Sequence, residues 1–101
     1  MLLVEDDADI SQGTARLLET AGYSVVLAYN GAEAWQIARE QLPDMVLLDR
    51  DLPGIDCLEV CRRIKHSPSL AGTLVVLVSG YYVGSEDQAE GLEAGADGYI
   101  A

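Results

Sequence analysis

The chain has 101 residues, which is the size of one domain, and half of them are hydrophobic, so a substantial core can form. Seventeen acidic residues against six basic ones give a formal net charge of −11, which argues against nucleic-acid binding through this domain, because the charges would repel a phosphate backbone. No run of about 18 apolar residues is present, so we expect no membrane contact through this domain.

Short apolar runs alternate with helical patterns from one end of the chain to the other. Apolar runs of three to six residues predict strands, and apolar residues three and four positions apart predict helices. In chain order the predicted elements are a strand at Leu2 to Val4, a helix at Ile10 to Ala21, a strand at Ser24 to Tyr29, a helix at Ala32 to Gln41, a strand at Met45 to Leu48, a helix at Ile55 to Lys65, a strand at Leu74 to Val78, a helix at Ser85 to Ala94 and a strand from Asp97 to Ala101.

Turn-forming and capping residues separate these elements. Gly22 and Pro43 end the first two helices, and Gly95 ends the fourth. Ser85 and Gln88 have the spacing of a capping box, which would start the fourth helix. Strands that are apolar throughout and alternate with helices indicate a parallel sheet buried on both faces. At this size, right-handed crossovers favour an open, doubly wound α/β sheet in a single domain.

Acidic and hydroxyl side chains follow three of the predicted strands. Glu5 and Asp6 follow the first strand, Asp49 and Asp51 the third, and Ser79 the fourth. The carboxyl ends of parallel strands share one edge of the sheet, where such folds place their ligands. We therefore expect these side chains to converge there. Single acids after strands are often only helix caps, which remains our interpretation of Asp7 and Asp9.

Clustered carboxylates raise one another's pKa unless a cation lies between them. Mg²⁺ prefers a few carboxylate oxygens together with phosphate oxygens, so a magnesium site fits this edge. Asp49 ends the apolar run Val46-Leu47-Leu48, which would hold its carboxylate rigidly. A rigid carboxylate beside a metal can act as a nucleophile toward a phosphoryl donor, and Ser79 could donate a hydrogen bond to the bound group.

The two cysteines, Cys57 and Cys61, are four residues apart, with no further cysteine or histidine near enough in sequence to complete a zinc site. We interpret them as ordinary apolar residues of a protein in the reducing cytoplasm.

Five sequence patches, in this order, resemble the receiver domain of two-component response regulators. Each patch alone is weak, but together they span nearly the whole chain. They are Leu3-Val4-Glu5-Asp6-Asp7, Val46-Leu47-Leu48-Asp49, Leu52-Pro53-Gly54-Ile55-Asp56, Val78-Ser79-Gly80 and Glu93-Ala94-Gly95-Ala96-Asp97-Gly98-Tyr99. The resemblance implies a flavodoxin-like five-stranded sheet in the order 2-1-3-4-5. It also implies phosphoryl transfer from a phosphohistidine on a histidine kinase or a phosphotransfer protein, and it leaves a homodimer open.

The resemblance also implies a role for each site residue. Asp49 matches the phosphoacceptor. Asp6 matches a direct Mg²⁺ ligand, Glu5 a ligand acting through water, and Asp51 the position that lends its backbone carbonyl to the metal. Ser79 matches the hydroxyl that turns toward the phosphoryl group. Tyr99 matches the aromatic switch residue that moves inward on activation.

The sequence departs from the family pattern in three places. A lysine expected after the fifth strand would come just after Ala101, and a fifth helix is missing as well, so we expect the domain to be trimmed at its C-terminus. Without that helix, apolar side chains on one face of the sheet should be partly uncovered. Cys57 stands where the family usually has glycine.

Alternative functions share some or all of these motifs. A receiver domain inside a hybrid sensor histidine kinase would carry the same motifs. A haloacid-dehalogenase-type phosphohydrolase shares the pattern Asp49-Arg50-Asp51, but places it on the first strand of a longer chain. A receiver-like interaction module without phosphorylation is disfavoured by the intact acidic residues. We therefore predict a phosphoacceptor domain that is not itself an enzyme, apart from self-catalysed phosphorylation and dephosphorylation.

Overall fold

The computed structural model describes residues 1–52, 57–79 and 84–100. In these ranges the chain alternates strands and helices in the predicted order. The elements are β1 (Leu2–Val4), α1 (Ala8–Thr20), β2 (Val26–Ala28), α2 (Gly31–Gln41), β3 (Met45–Asp49), α3 (Cys57–His66), a 3₁₀ turn (Pro68–Leu70), β4 (Leu74–Val78), α4 (Ser85–Glu93) and β5 (Gly98–Ile100). The predicted start of the third helix at Ile55 lies outside the described residues.

The described strands form one parallel sheet in the order β2-β1-β3-β4-β5, which confirms the predicted doubly wound fold. Val4 pairs with Leu48, and Asp49 pairs with Val78. The carboxyl ends of β1, β3 and β4 therefore finish level with one another at one edge. No helix in the described part of the chain is long and apolar enough to cross a membrane.

Side-chain caps fix where α1 and α2 begin. The Asp7 carboxylate accepts hydrogen bonds from the N–H groups of Asp9 and Ile10, so its interpretation as a cap is confirmed. Asn30 caps α2 through the N–H of Glu33. The capping box predicted at Ser85 and Gln88 was wrong, because α4 is capped one residue earlier.

Gly84 is the N-cap of α4, and its N–H donates to the Asp87 carboxylate at 3.2 Å. Glycine has no side chain to return the second bond of a capping box, so only half of the motif forms.

One face of the sheet is covered by helices over its three inner strands. Alternate residues of the three inner strands point to this face, and each is fully buried against α2, α3 and α4. These residues are Leu2, Val4, Val46, Leu48, Val75 and Leu77. Ala34 and Ala38 of α2 are buried there, with Ile37 partly buried beside them. Cys57 and Cys61 are free thiols in the same core, which agrees with their interpretation as apolar residues.

The opposite face is only partly covered by α1. Leu47 on this face is only partly buried, as predicted. It lines a groove of about 140 Å³ together with Leu3, Ile10, Thr14 and Val78. Ile10, Thr14, Leu17, Leu18 and Ala21 have the spacing of an apolar helical stripe, but Ile10 and Leu17 are 56% and 75% exposed. The helix meets the sheet through two small residues one turn apart, Ser11 and Ala15.

Asp97 connects three elements at the other end of the sheet. Its carboxylate accepts hydrogen bonds from the Val75 N–H at 2.8 Å and from the Lys65 ammonium at 2.9 Å. Partial burial alone would raise the pKa of Asp97, but these two donors hold it below its ordinary value. The ionised carboxylate therefore joins α3 to β4 just before β5 begins.

Replacing Asp97 by asparagine should destabilise the fold by about 1 kcal/mol at pH 7, because a half-exposed ion pair and one charge-assisted hydrogen bond are weakened. A carboxyl with a lowered pKa stabilises the fold above its unfolded pKa of about 3.9 and loses this effect as the pH falls through the folded value. The difference between wild type and Asp97→Asn should therefore shrink below about pH 4 in urea unfolding experiments. Asp44→Asn, at an exposed position, is the matched control. An equal loss in both variants would contradict this role.

Candidate functional site

Three strand ends bring their polar residues to one edge of the sheet. Glu5 follows β1, Asp49 is the last residue of β3, and Ser79 follows β4. Interstrand hydrogen bonding continues past the strands, since the Glu5 N–H donates to the Ala28 carbonyl and the Ser79 N–H to the Ile100 carbonyl. The backbone of the site is therefore fixed by the sheet itself.

These residues open onto a cleft of about 440 Å³. Apart from Tyr99, every residue predicted for the site lines this cleft. Its walls are formed by Glu5, Asp6, Asp7, Ile10, Asp49, Asp51, Val78 and Ser79. Tyr99 lies on β5, where it pairs with Leu77 and packs against α4. The sequence thus predicted the convergence of the acidic residues correctly.

Three carboxylates in the cleft are close enough to share a cation. Glu5, Asp6 and Asp49 each offer one oxygen, and these oxygens all lie within 4.8 Å of one another. Partial burial raises the pKa of Glu5 to about 7, and the hydrogen bond and negative charge of Asp49 add to the effect. A divalent cation would relieve this repulsion and favour the ionised form of Glu5. The donor set, all oxygen and acidic, fits a hard ion such as Mg²⁺.

Asp49 and Ser79 are both held in place by Asp51. The Asp51 N–H donates to Oδ1 of Asp49 at 2.9 Å. Ser79 is 3% exposed, and its hydroxyl donates to Oδ1 of Asp51 at 3.1 Å. The side chain of Asp51 thus bridges the ends of β3 and β4. This contact could not be expected from the sequence, because it depends on the distance between two neighbouring strands.

Arg50 is a further residue of interest that the sequence analysis missed. Its side chain is 6% exposed and contacts α4 and the hydroxyl of Tyr99. The sequence held one indication of where the Arg50 side chain lies, because successive residues along a strand point to opposite faces. A residue directly after Asp49 is therefore directed away from the cleft and toward the opposite side of the sheet.

Comparisons with known proteins identify the family. A family model described as response regulator receiver domain matches residues 1–101. The chain is 39% identical over 100 residues to the transcriptional regulatory protein AfsQ1 of Streptomyces coelicolor, and it covers 43% of that protein. It is 38% identical over 100 residues to the response regulator MprA of a Mycobacterium species and covers 42% of it. In both alignments 99% of this chain is matched, so it spans less than half the length of these relatives.

The fold comparison agrees with the sequence comparisons. The chain superposes on the chemotaxis response regulator CheY4 of Vibrio cholerae with a TM-score of 0.89 and 26% sequence identity. The match covers 97% of this chain and 81% of that one. The order of the strands, the acidic edge and the match along the whole chain lead to one conclusion: the chain belongs to the receiver domains of two-component response regulators.

Proposed function

We propose that Asp49 is the phosphoacceptor of this receiver domain and that it takes a phosphoryl group from a phosphohistidine of a histidine kinase or a phosphotransfer protein. The observation that carries the proposal is the position of the Asp49 carboxylate. It stands at the end of a buried strand, opens onto a cleft, and lies within 4.8 Å of oxygens of Glu5 and Asp6. The bond from the Asp51 N–H orients it further.

In the proposed step, a carboxylate oxygen of Asp49 attacks the phosphorus atom of the donor. A new O–P bond forms an acyl phosphate, and the P–N bond to the donor imidazole breaks. The electron pair of that bond stays on the imidazole nitrogen, which then takes up a proton. The rigid strand contributes mainly by orienting the nucleophile, which is the main demand of phosphoryl transfer.

We propose Mg²⁺ as the cofactor. Asp6 and Asp49 would hold it directly, Glu5 would act through water, and Asp51 would offer its backbone carbonyl. When bound, the ion neutralises charge on the transferring oxygens. The cluster of three carboxylates supports this assignment, because a hard divalent cation among their oxygens would offset the repulsion between them.

Ser79 and Tyr99 are the proposed switch residues. Ser79 would exchange its bond to Asp51 for one to the phosphoryl group, and Tyr99 would respond on the neighbouring strand. Such a change is a shift between two populated arrangements rather than a new fold.

Similarity to response regulators favours this role over a receiver inside a hybrid sensor kinase and over a haloacid-dehalogenase-type phosphohydrolase. The buried free thiols Cys57 and Cys61 support a location in the reducing cytoplasm, which we also propose.

Incubation with Mg²⁺ and acetyl phosphate should add one phosphoryl group to a complete version of the domain, which includes the lysine and helix expected after Ala101. Asp49→Asn should abolish this addition, because an amide cannot form the acyl phosphate. Intact-protein mass spectrometry measures the added mass, and borohydride trapping followed by peptide mapping locates it. Asp51→Asn, which makes the same charge change two residues away, should keep Asp49 as the labelled residue. A label on Glu5 or Asp51 in the wild type would overturn the assignment.

Asp6→Asn should weaken Mg²⁺ binding at least tenfold, since one hard ligand and one negative charge are lost. The matched control is Asp7→Asn, which makes the same charge change at the adjacent residue. Asparagine caps a helix as well as aspartate does, so α1 should be unaffected. Isothermal titration calorimetry with MgCl₂ compares the two variants. Equal affinities would show that Asp6 is not a ligand.

Ser79→Ala should still be phosphorylated on Asp49, because the nucleophile and the acidic cluster are untouched. The hydroxyl that would follow the phosphoryl group is missing, so the response of Tyr99 should be blunted. NMR signals of the Tyr99 ring, recorded before and after phosphorylation, measure this response. A full response in Ser79→Ala would exclude coupling through the hydroxyl.

A further inference from the structure

Arg50 connects the residue after Asp49 to α4 and β5. Its guanidinium donates to the backbone carbonyl of Asp87 and, at 3.0 Å, to the hydroxyl of Tyr99. The other terminal nitrogen pairs with the Glu90 carboxylate at 2.8 Å. These three acceptors come from two different elements, and one planar guanidinium contacts all of them.

The guanidinium of Arg50 is largely removed from water, so contacts within the protein must replace its lost solvation. The Arg50 side chain is 6% exposed, whereas that of Glu90 is 58% exposed. A cation removed from water needs hydrogen-bond partners and an opposite charge to offset its lost solvation. Glu90 supplies the charge, and the carbonyl and hydroxyl groups supply further acceptors. Moving Tyr99 away would leave a buried donor with one acceptor fewer.

The ring of Tyr99 occupies a space that exists because residue 91 is glycine. A Cβ built on Gly91 would lie 2.7 Å from Cδ2 of Tyr99 and 2.8 Å from Cδ1 of Leu77. Real Cβ atoms do not approach other atoms so closely, so alanine at this position would push the ring outward. The ring also packs on the hydrophobic core, and its centroid lies 5.8 Å from the Arg50 guanidinium carbon.

We propose that Arg50 and Gly91 form a seat that holds Tyr99 in its inward position and thereby acts on the switch. Arg50 fixes the hydroxyl end of the side chain, and Gly91 leaves room for the ring. Both are positioning residues, since neither lines the phosphoacceptor cleft. This inference rests on the proposed function, in which Tyr99 responds to phosphorylation of Asp49, and takes the direction of that response, inward, from the family resemblance.

Linkage gives the direction of the effect. If phosphoryl binding favours the inward position of Tyr99, then the inward position favours phosphoryl binding by the same factor. The seat stabilises the inward position, so it should strengthen phosphoryl binding. Loss of one charge-assisted hydrogen bond should weaken binding of a phosphoryl analogue about tenfold, which corresponds to about 1.4 kcal/mol. The seat therefore tunes a site with which it shares no side chain.

The test uses Arg50→Met, Arg50→Lys and Gly91→Ala in the full chain. Methionine keeps the apolar stem but has no donors, and lysine keeps the charge beside Asp49 but cannot contact three acceptors at once. The first readout is the NMR position of the Tyr99 ring signals, assigned among the five tyrosines with Tyr99→Phe. The second is the affinity for beryllium trifluoride in the presence of Mg²⁺.

Two matched controls lie elsewhere in the fold. Arg63→Met removes a guanidinium that is paired with Glu59 on an exposed part of α3. Gly13→Ala adds a Cβ within α1 where no atom lies within 4 Å. Neither control should move the Tyr99 signals or change the affinity.

The proposal is supported if all three seat variants shift the Tyr99 signals and bind beryllium trifluoride about tenfold more weakly than the wild type. Unchanged Tyr99 signals in Arg50→Met would overturn it, and this variant alone decides the matter if Gly91→Ala does not fold. Full recovery in Arg50→Lys would also overturn it, because charge rather than geometry would then be responsible.

Shifted Tyr99 signals with wild-type affinity for beryllium trifluoride would refute the link between the seat and the cleft. A wild-type chain that binds no analogue would contradict the proposed function, and the Tyr99 signals would then decide for or against the seat.

Discussion

The register of β1, β3 and β4 determines where every polar group of the cleft stands. Val4 is level with Leu48, and Asp49 is level with Val78. A slip of one residue in β3 would turn the Asp49 carboxylate to the opposite face of the sheet. It would also bury Leu47 in the core in place of Leu48. Val46 and Leu48 oppose such a slip, because both of these fully buried side chains would leave the core. Packing on one face of the sheet therefore sets the chemistry at its edge.

This fixed arrangement holds like charges together in the folded chain. Glu5 is partly buried and cannot move away from Asp49, so the loss of solvation, with the hydrogen bond and charge of Asp49 added to it, raises the pKa of Glu5 to about 7. The same rigidity gives a divalent cation a ready set of oxygen atoms, with little reorganisation required on binding. Electrostatic strain in the metal-free protein and affinity for the metal thus have one structural origin.

Most of the fold could be predicted from the sequence because its signals are local. An apolar run such as Leu74 to Val78 is compatible with few structures other than a buried strand. The residues that follow each strand identified the acidic edge of the sheet. The burial of α1 could not be predicted in the same way. Ile10 and Leu17 match a helical stripe, but which stripe meets the sheet depends on how the helix is placed across β1. The cap of α4 was predicted wrongly because glycine gives no capping signal of its own, whereas the predicted start of the helix at Ser85 was correct.

The contacts within the site and behind it could not be predicted from the sequence either. The bridge from Ser79 to Asp51 depends on the spacing of two strands, and the neighbours of Arg50 come from positions 37 to 49 residues away along the chain. Arginine in a strongly acidic chain suggests a solvated ion pair at the surface. Only the three-dimensional arrangement reveals that its charge is buried.

The unequal exposure of the Arg50 and Glu90 pair has a consequence for the response of the domain to its surroundings. The cation is enclosed, but its counter-charge faces solvent on α4, where dissolved ions screen it over about 10 Å at 0.1 M ionic strength. Salt, or a cationic group brought to α4 by another molecule, competes with Arg50 for Glu90. Weaker pairing leaves the enclosed guanidinium more dependent on its remaining acceptors, including the hydroxyl of Tyr99. Charge at the outer surface of α4 thus affects the buried guanidinium of Arg50 through the carboxylate of Glu90.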